Sequence, residues 1–388
     1  MRVLIAHSWY MDDMPSGENR AVEEDIRELT EAGVEVVCAR PERYGASLGG
    51  LPPSSKTSPR AIVANGRKLL EQVRPDLVHL HHPYPEYLAT IRALRTRTVP
   101  LVHTVHNLRH VCPAGTAFRD GRPCTECHGR RLAVPCAQHR CVNGSLAKSL
   151  TLPLMVRYAG PTLERADVRI APSEHMRRRL LETDPAGGDR IVVLPNAVAD
   201  PLAVVEPTSG LPDATYAFFA GRLTETKGVR LLVEAFEGLP PDSPLHLVLA
   251  GDGPLRAWVE ERAAAPDSRL HVLGPLPASQ TYGAMRDAAV VVVPSIWDEP
   301  FGLVAAEALG CATPVLVTDR GALADIVGDC GRVVPATTES LRSALAATAV
   351  PSSAARGAAR RRWELAYSAE VRGPRLIELY RDAIRARR

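Results

Sequence analysis

The sequence predicts an α/β protein whose two domains are each built on a parallel β-sheet. Its length of 388 residues exceeds the ~250–300 residues at which a single hydrophobic core stops growing, so two cores are expected. Short valine- and leucine-rich runs recur along the chain without polar alternation, which is typical of parallel strands buried on both faces. A proline-bearing stretch without a hydrophobic period, residues 199–212, predicts the hinge between the domains.

Composition and charge narrow the class of partner. The chain is 45% hydrophobic and 23% charged, with a formal net charge of +3, which gives no electrostatic argument for nucleic acid. Arginine clusters at 177–179 and 360–362 are solvated helix faces or, alternatively, contacts to a membrane surface or an anionic acceptor. The sequence contains no run of ~18 apolar residues, which is the length needed to span a bilayer. The first residues predict a buried strand rather than a signal peptide, so we expect a cytoplasmic protein.

The first half predicts six strands, which are separated by turns and helices. Residues 45–60 are rich in glycine, proline and serine and predict a loop. The turn after the first strand contains Ser16 and Gly17; small residues there let backbone N–H groups approach a phosphate, and a plain tight turn is the alternative. The strands are expected at residues 2–8, 34–40, 76–83, 100–107, 167–174 and 190–198.

A histidine stands where the fourth of these strands ends. His106 is placed at the carboxyl end of the strand, where α/β proteins carry ligand-binding groups. This position favours a role for His106 in the site. A single histidine is more often structural, and we interpret the others of this region in that way: His79, His81, His82 and His103.

Five of the eight cysteines fall within residues 112–141. Because a cytoplasmic protein keeps its thiols reduced, this clustering indicates a metal site before disulfides. The spacing of Cys124 and Cys127 is typical of a turn that holds zinc with two thiolates, and we expect Cys112 and Cys141 to complete a structural site, leaving Cys136 over. An iron–sulfur cluster and unligated thiols are the alternatives. A segment so poor in apolar residues would be folded by the metal.

Two cations follow the first strand of the second half. Arg222 and Lys227 lie in GRLTETKG, at the carboxyl end of a strand expected at 215–223. Together they would neutralise a diphosphate as the bond to its sugar breaks; surface ion pairs are the alternative. Further strands with their turns are expected at residues 245–255, 269–277, 289–297 and 314–327.

The run EPFGLVAAEAL places two carboxylates around a predicted helix start. The N–H groups of Phe301, Gly302 and Leu303 would point out of the helix with the positive end of its dipole behind them, which is a site for phosphate. Glu299 precedes the helix and Glu307 lies in its apolar middle, where a carboxylate is costly unless it meets a polar group. A sugar nucleotide offers hydroxyls at both ends, on its hexose and its ribose. A solvent-facing glutamate and a loop glutamate are the alternative.

These motifs resemble those of retaining glycosyltransferases of family 4, the glycosyl transferases group 1, which have the GT-B fold. Glu299 and Glu307 match the family's paired glutamates, and GRLTETKG matches its element with Gly221, Arg222 and Lys227. The resemblance implies two Rossmann-like parallel-sheet domains facing across a cleft, with a Cys-rich insertion in the first. The implied division is an acceptor-side domain at 1–199 with the insertion at 110–143, a nucleotide-sugar-binding domain at 200–365, and a helix at 366–388 that packs back on the first domain.

The resemblance also implies an activity. A hexosyl group would move from a UDP- or GDP-sugar to the hydroxyl of a small-molecule, glycan or lipid-linked acceptor. No catalytic metal is expected, because Arg222, Lys227 and the helix dipole supply positive charge. Catalytic roles are implied for His106, Arg222, Lys227 and Glu299. Donor binding is implied for Gly17, Gly221, Arg222, Lys227, Glu299, Phe301, Gly302, Leu303 and Glu307.

Two departures and two alternatives accompany this interpretation. The family usually has Asp after the histidine, whereas Asn107 stands here, so only His106 carries over. A second glycine is common before Gly17, where this chain has Ser16. The alternatives are a GT-B epimerase or phosphorylase, and a non-catalytic sugar-nucleotide-binding protein whose cysteine segment docks a partner.

Overall fold

The computed structural model describes residues 1–9, 16–38, 65–82, 87–95, 99–127 and 133–387, and the loop predicted at 45–60 lies outside them. The chain divides into two compact units. The first contains Met1–Ala117, Cys124–Ala197 and Ala369–Arg388, and the second contains Phe118–Pro123 and Val198–Ser368. In the described ranges each unit carries a six-stranded sheet whose neighbouring strands are all parallel. The predicted fold class is confirmed.

The sheet of the first unit reverses its strand order beside its first strand. The strands of residues 1–197 are β1 (Arg2–Ala6), β2 (Glu35–Cys38), β3 (Leu77–Leu80), β4 (Leu101–Thr104), β5 (Phe118–Arg119), β6 (Arg122–Pro123), β7 (Val168–Ala171) and β8 (Ile191–Val193). The sheet has the order β2-β1-β3-β4-β7-β8, while β5 and β6 pair as an antiparallel hairpin. Ligands of doubly wound sheets bind at the carboxyl ends of strands beside such a reversal, which here means β1 and β3.

Helices cover the strands of this sheet. They are α1 (Gly17–Glu31), α2 (Gly66–Val73), α3 (Leu88–Leu94), α4 (Ala133–Gln138), α5 (Leu146–Leu163) and α6 (Glu174–Thr183). The hydroxyls of Ser16, Ser145 and Ser173 accept backbone N–H groups at the starts of α1, α5 and α6, which satisfies donors that have no partner inside a helix. Because helices lie over the sheet, β3 and β4 are buried along their whole length.

The second unit has the doubly wound order in which the switch falls at the centre of the sheet. Its strands are β9 (Tyr216–Ala220), β10 (His246–Ala250), β11 (Leu270–Gly274), β12 (Val290–Val293), β13 (Val315–Thr318) and β14 (Gly331–Val334). Its helices are α7 (Val229–Glu237), α8 (Arg256–Ala263), α9 (Ala278–Asp287), α10 (Leu303–Gly310), α11 (Leu323–Val327), α12 (Thr338–Ala346) and α13 (Ser353–Ala366). The order β11-β10-β9-β12-β13-β14 reverses between β9 and β12. A ligand crevice is therefore expected beyond the ends of these two strands.

The last helix, α14 (Ala369–Arg385), belongs to the first unit. Leu376 and Tyr380 are buried in the core that contains Val3 and Ile5. Pro374 lies inside α14, and the helix continues through it. Buried contacts on both sides of the proline hold the helix, and they outweigh the hydrogen bond that proline cannot donate. None of the helices in the described ranges has the length and apolar character that a bilayer crossing needs.

Candidate functional site

Glycines hold together the two loops that follow β9 and β12. Gly228, in a left-handed conformation with φ of +70°, directly precedes α7, and a Cβ there would lie 1.8 Å from the carbonyl oxygen of Pro294. The N–H of Ile296 donates to the carbonyl of Thr226 at 3.0 Å. Only glycine permits so close an approach of the backbones. The loop that carries Lys227 is thereby fixed against the loop that carries Glu299.

The carboxylate of Glu299 is the centre of this arrangement. Its Oε1 accepts hydrogen bonds from Lys227 Nζ at 2.6 Å, from the hydroxyl of Ser295 at 2.6 Å and from Trp297 Nε1 at 3.1 Å. Glu299 is only 5% exposed, so the charge of Lys227 offsets the cost of burying it. The backbone is fixed as well, because a Cβ on Gly321 would lie 2.3 Å from both N and O of Glu299.

Helix α10 begins where the sequence predicted a helix start. Gly302 precedes it with a φ of +100°, and a Cβ there would lie 2.6 Å from Cδ2 of Leu323, so the turn requires glycine. The first N–H groups of a helix have no acceptor within it, and they carry the positive end of its dipole. The ring of Phe301 is buried and meets Tyr367 edge to face, so only the backbone of Phe301 could serve a ligand.

Glu307 lies inside α10 and is 3% exposed. Its neighbours Ala306 and Ala308 belong to the apolar core of the second unit. The N–H of Cys311 donates to the backbone carbonyl of Glu307 at 2.9 Å. Burial and the negative charge of Glu307 raise the pKa of the Cys311 thiol. By contrast, Arg222 is exposed on the turn after β9. The structure therefore pairs Lys227 with Glu299, buries the side chain of Glu307 on α10 and leaves Arg222 exposed.

In the first unit, polar groups gather at the carboxyl ends of β1, β3 and β4. His106 Nε2 lies 2.8 Å from Nδ1 of His81. His81 Nε2 lies 3.6 Å from Oδ2 of Asp25, whose Oδ1 meets the guanidinium of Arg372 at 2.7 Å. His81 Nε2 and Asp25 Oδ2 are buried and lack another hydrogen-bond partner. The four side chains form a chain of polar contacts from α14 to His106.

Burial keeps His81 and His106 neutral at neutral pH. It lowers the pKa of His81 well below its usual value, with further lowering by the neighbouring histidines. Burial also lowers the pKa of His106 to about 4, although Glu18 opposes the shift. Since neutral imidazole carries one N–H, the direction of each hydrogen bond determines which nitrogen holds the proton.

Glu18 is a second carboxylate beside His106. Its Oε1 accepts a hydrogen bond from Nδ2 of Asn107 at 2.6 Å. Burial alone would raise the pKa of Glu18, but His82, His106, Arg109 and the bond from Asn107 together lower it to about 2. A carboxylate of α1 therefore lies beside Asn107. Gly17, the neighbouring donor-binding candidate, is exposed as the first residue of that helix.

Asp25, His79 and His81 could be taken for a metal centre, because one ligand atom of each lies within 4.8 Å of the others. However, His79 uses Nδ1 for the hydroxyl of Tyr380 at 2.6 Å and Nε2 for Thr104 at 2.7 Å. Asp25 is paired with a guanidinium as described above, which repels a cation. The group is a hydrogen-bonded network that fixes β3 to β4 and α14.

The clustered cysteines are free thiols. Burial raises the pKa of Cys127 to about 12, and the charges of four other thiols of the segment add to this, those of Cys112, Cys136, Cys141 and Cys124. Each of these thiols is thus close enough to Cys127 to influence its protonation. In the part of the chain that the structure describes, no three of their sulfur atoms lie within 4.8 Å of one another.

Several of these groups were not identified from the sequence. Ser295 and Trp297 orient Glu299, and their position after β12 at a strand end could have indicated them. Glu18 and Asp25 could not be identified in this way, because their partners come from other elements. Arg372 carries no local signal at all.

Two protein-family models match this chain. "Glycosyltransferase Family 4" matches residues 15–200, and "Glycosyl transferases group 1" matches residues 207–347. The structure is similar to that of the Anabaena protein Alr3699/HepE in complex with UDP-glucose, with a TM-score of 0.63, 18% identity and coverage of 98% of this chain and 100% of that one. The fold is GT-B, a class in which two parallel-sheet α/β domains make up the enzyme.

The particular family follows from the matched regions together with the relatives: the chain belongs to glycosyltransferase family 4. A phosphatidyl-myo-inositol mannosyltransferase of Mycobacterium leprae is 28% identical over 71% of this chain and 64% of its own length. A D-inositol 3-phosphate glycosyltransferase of Xylanimonas cellulosilytica is 32% identical over 66% of this chain and 58% of its own length. The chain thus spans less than two thirds of the length of these relatives.

Proposed function

We propose that this protein transfers a hexosyl group from a nucleotide-diphosphate sugar to an acceptor hydroxyl, with retention of anomeric configuration. The observation that carries the proposal is the pairing of Lys227 with Glu299 at the switch point of the second sheet, at 2.6 Å. A cation and a carboxylate held side by side suit a ligand that is anionic at its phosphates and rich in donors at its sugar. Family membership supports the same reaction.

In this proposal the donor exchanges partners with the ion pair. Lys227 and Arg222 bind the diphosphate, together with the N–H groups at the start of α10. Glu299 then accepts hydrogen bonds from hexose hydroxyls in place of the ammonium, while Ser295 and Trp297 keep its carboxylate oriented. Glu307 accepts hydrogen bonds from the ribose.

Charge stabilisation supplies the chemistry at the phosphates. Negative charge develops on the diphosphate as the bond to the hexose breaks, and preorganised cations near it lower the barrier. Arg222, Lys227 and the dipole of α10 provide this charge, so the proposed reaction needs no catalytic metal. A phosphate oxygen of the departing diphosphate takes the proton of the acceptor hydroxyl.

We propose that His106 orients that hydroxyl through a defined tautomer. If Asp25 accepts from Nε2 of His81, then Nδ1 of His81 carries the lone pair and accepts from Nε2 of His106. Nδ1 of His106 is then a hydrogen-bond acceptor. The negative charge of Glu18 lies close to His106 and would stabilise a reacting group that develops positive charge.

The names of two relatives, phosphatidyl-myo-inositol mannosyltransferase and D-inositol 3-phosphate glycosyltransferase, support a proposal for the acceptor class. We propose a small-molecule or lipid-linked polyol as the acceptor, and a glycan as the alternative. A UDP-hexose is the first donor to test, because a similar fold binds UDP-glucose.

A donor screen followed by product analysis tests the proposal. We expect one of a panel of UDP- and GDP-hexoses to raise the melting temperature, and the same donor to give a product with retained configuration by NMR when myo-inositol, inositol phosphate or phosphatidylinositol is added. Conversion of the donor alone would indicate an epimerase, and phosphate-dependent cleavage a phosphorylase. Tight binding in calorimetry without turnover of any acceptor would indicate a binding protein.

A further inference from the structure

Helix α5 exposes apolar side chains along one side of the first unit. Leu146, Leu150, Leu154 and Tyr158 follow one another at intervals of four residues, and each is at least 38% exposed. Because residues four apart lie one above the other on a helix, these side chains form a stripe about 18 Å long. Val134 of the neighbouring helix α4 is exposed as well.

The exposed apolar residues are concentrated in this region. Of the eleven large hydrophobic side chains that are exposed in the described ranges, five lie within residues 134–158, and the other six are scattered along the rest of the chain. Single exposed hydrophobic residues are ordinary, whereas a contiguous set marks a surface that binds a partner. The opposite face of α5 is apolar too, with Val156 and Ala159 in the core of the first unit. A helix that is apolar on both faces is suited to apolar surroundings on both sides.

The charge on this part of the chain has one sign. Residues 127–163 contain no aspartate or glutamate, although the chain has 44 acidic residues in all. The charged residues of α5 are Lys148 and Arg157, and both are exposed. The guanidinium of Arg95, directly after α3, lies over the ring of Tyr158 at 4.5 Å from its centroid. The stripe is therefore accompanied by cations, whose apolar stems can lie against it while their charged ends remain in water.

The two arginine clusters at 177–179 and 360–362 differ from α5 in this respect. Arg179 on α6 pairs with Glu182 at 2.7 Å, and Arg360 on α13 pairs with Asp200 at 2.7 Å. A neighbouring carboxylate thus neutralises part of the charge of each cluster. Helix α5 has no acidic residue that could do the same.

We propose that the stripe of α5 binds the surface of an anionic lipid bilayer. The leucines would enter the boundary between headgroups and acyl chains, Tyr158 would lie at the level of the headgroups, and the cations would meet lipid phosphates. The helix would lie on the bilayer without crossing it, since none of the helices in the described ranges is long and apolar enough to cross.

The charge also distinguishes a bilayer from a second copy of this chain. A symmetric contact between two copies of α5 places the same residues of both against each other. The cations of both copies would then meet, and residues 127–163 offer no carboxylate to separate them. Like charges brought together in this way oppose association, whereas anionic headgroups attract them.

Vesicle flotation of the full-length protein tests the proposal. We expect the protein to float with vesicles that contain phosphatidylglycerol and to bind vesicles of pure phosphatidylcholine roughly tenfold more weakly, because each cation near an anionic surface adds to the attraction. Added salt should release the protein from the anionic vesicles. Equal binding to both kinds of vesicle, or binding to neither, would overturn the proposal.

A charged variant locates the contact. Leu154→Glu should raise the apparent dissociation constant for anionic vesicles roughly tenfold or more, because it withdraws an apolar side chain from the bilayer and adds a repelled charge. Leu365→Glu is the matched control, since Leu365 is an exposed leucine on α13 in the second unit. Equal melting temperatures would show that both variants are folded.

Two outcomes for Leu154→Glu would overturn the assignment. One is vesicle binding equal to that of the wild type. The other is a wild-type dimer in light scattering that becomes a monomer in Leu154→Glu, which would identify a second copy as the occupant. Because vesicle binding is measured without donor or acceptor, its failure is distinguishable from a failure of the proposed activity.

Discussion

The two sheets assemble their polar groups in different ways. In the second unit, Lys227 and Glu299 lie in adjoining loops whose sequences are themselves motifs. In the first unit, the polar contacts from Arg372 through Asp25 and His81 to His106 use four parts of the chain: α14, α1, the turn after β3 and the turn after β4. The comparison teaches that local sequence identifies the residues of the second-unit site, whereas those of the first-unit network become apparent only in the folded chain.

The two sites also differ in their charge. The second-unit pair is ionic and half-buried at the lysine, which is 30% exposed. The first-unit histidines are neutral, because burial lowers the pKa of each. The second unit therefore holds a charged pair at its switch point, and the first holds neutral histidines that are joined by hydrogen bonds.

The largest expected effect falls on the first unit, where a variant would break its network. Arg372→Ala leaves Asp25 and Glu28 buried without their cation, and we expect the free energy of unfolding to fall by about 3–5 kcal/mol. Urea denaturation measures this, with the exposed Arg375→Ala as the matched control. A loss equal to that of the control would show that the network does not stabilise the unit.

The next effect falls on the second unit and on turnover instead of stability. Lys227→Ala should lower kcat roughly 10²–10³-fold, because it removes charge stabilisation of the departing diphosphate. Arg230→Ala is the control, since Arg230 is close in sequence but pairs with Glu225 at 3.0 Å. Wild-type kcat in Lys227→Ala would refute the assigned role.

Glu307 tests whether the apolar helix α10 holds a ligand group. Glu307→Gln should weaken nucleotide binding roughly tenfold or more, as a hydrogen bond to a charged acceptor contributes about 1.5–3 kcal/mol. Calorimetry with the nucleotide alone gives the dissociation constant, and the exposed Glu234→Gln should leave it unchanged. An unaltered constant in Glu307→Gln would argue against the ribose contact.

The neutral histidines predict a pH dependence that the ionic pair does not share. Burial lowers the pKa of His82 to about 3 in the folded protein, while an unfolded histidine titrates near ~6.5. The unfolded state therefore gains protons first, and the stability contributed by neutral His82 is lost as pH falls through this window. Replacing His82 with Gln should reduce the loss of stability between about pH 7.5 and about pH 5 by roughly 1–2 kcal/mol. Equal losses in both proteins would contradict it.

The smallest expected effect tests the proposed tautomer. His81→Asn should lower kcat roughly tenfold, less than the ~10²–10⁴ of a direct acid or base, because His106 loses the partner that sets its proton. The pH profile of kcat should also change, which a purely structural role would not produce. His103→Asn is the control, because His103 is buried on β4 but does not belong to the polar contacts that run from Arg372 to His106. Identical pH profiles for His81→Asn and the wild type would contradict the proposed tautomer.

Sequence periodicity and motif spacing predicted most of the second unit. The strand before Ser295, the start of α10 and the turn with Lys227 all depend on residues close together in the chain. Gly228 and Gly302 also have a positive φ, +70° and +100°, and such a turn conformation is a local property that the sequence can indicate before the contacts with Pro294 and Leu323 are known. By contrast, the interpretation of His81 as a structural residue overlooked its contact with His106, since β3 and β4 meet only in the sheet.

The sequence by itself determined the class of fold, the family and the positions of the paired glutamates, because hydrophobic period and short motifs are local properties of the chain. Only the tertiary structure decided that Lys227 pairs with Glu299, that Glu18 accepts a hydrogen bond from Asn107, and that Arg372 pairs with Asp25. Those pairings join distant segments, and their strength comes from a burial that exists only once the sheets are covered.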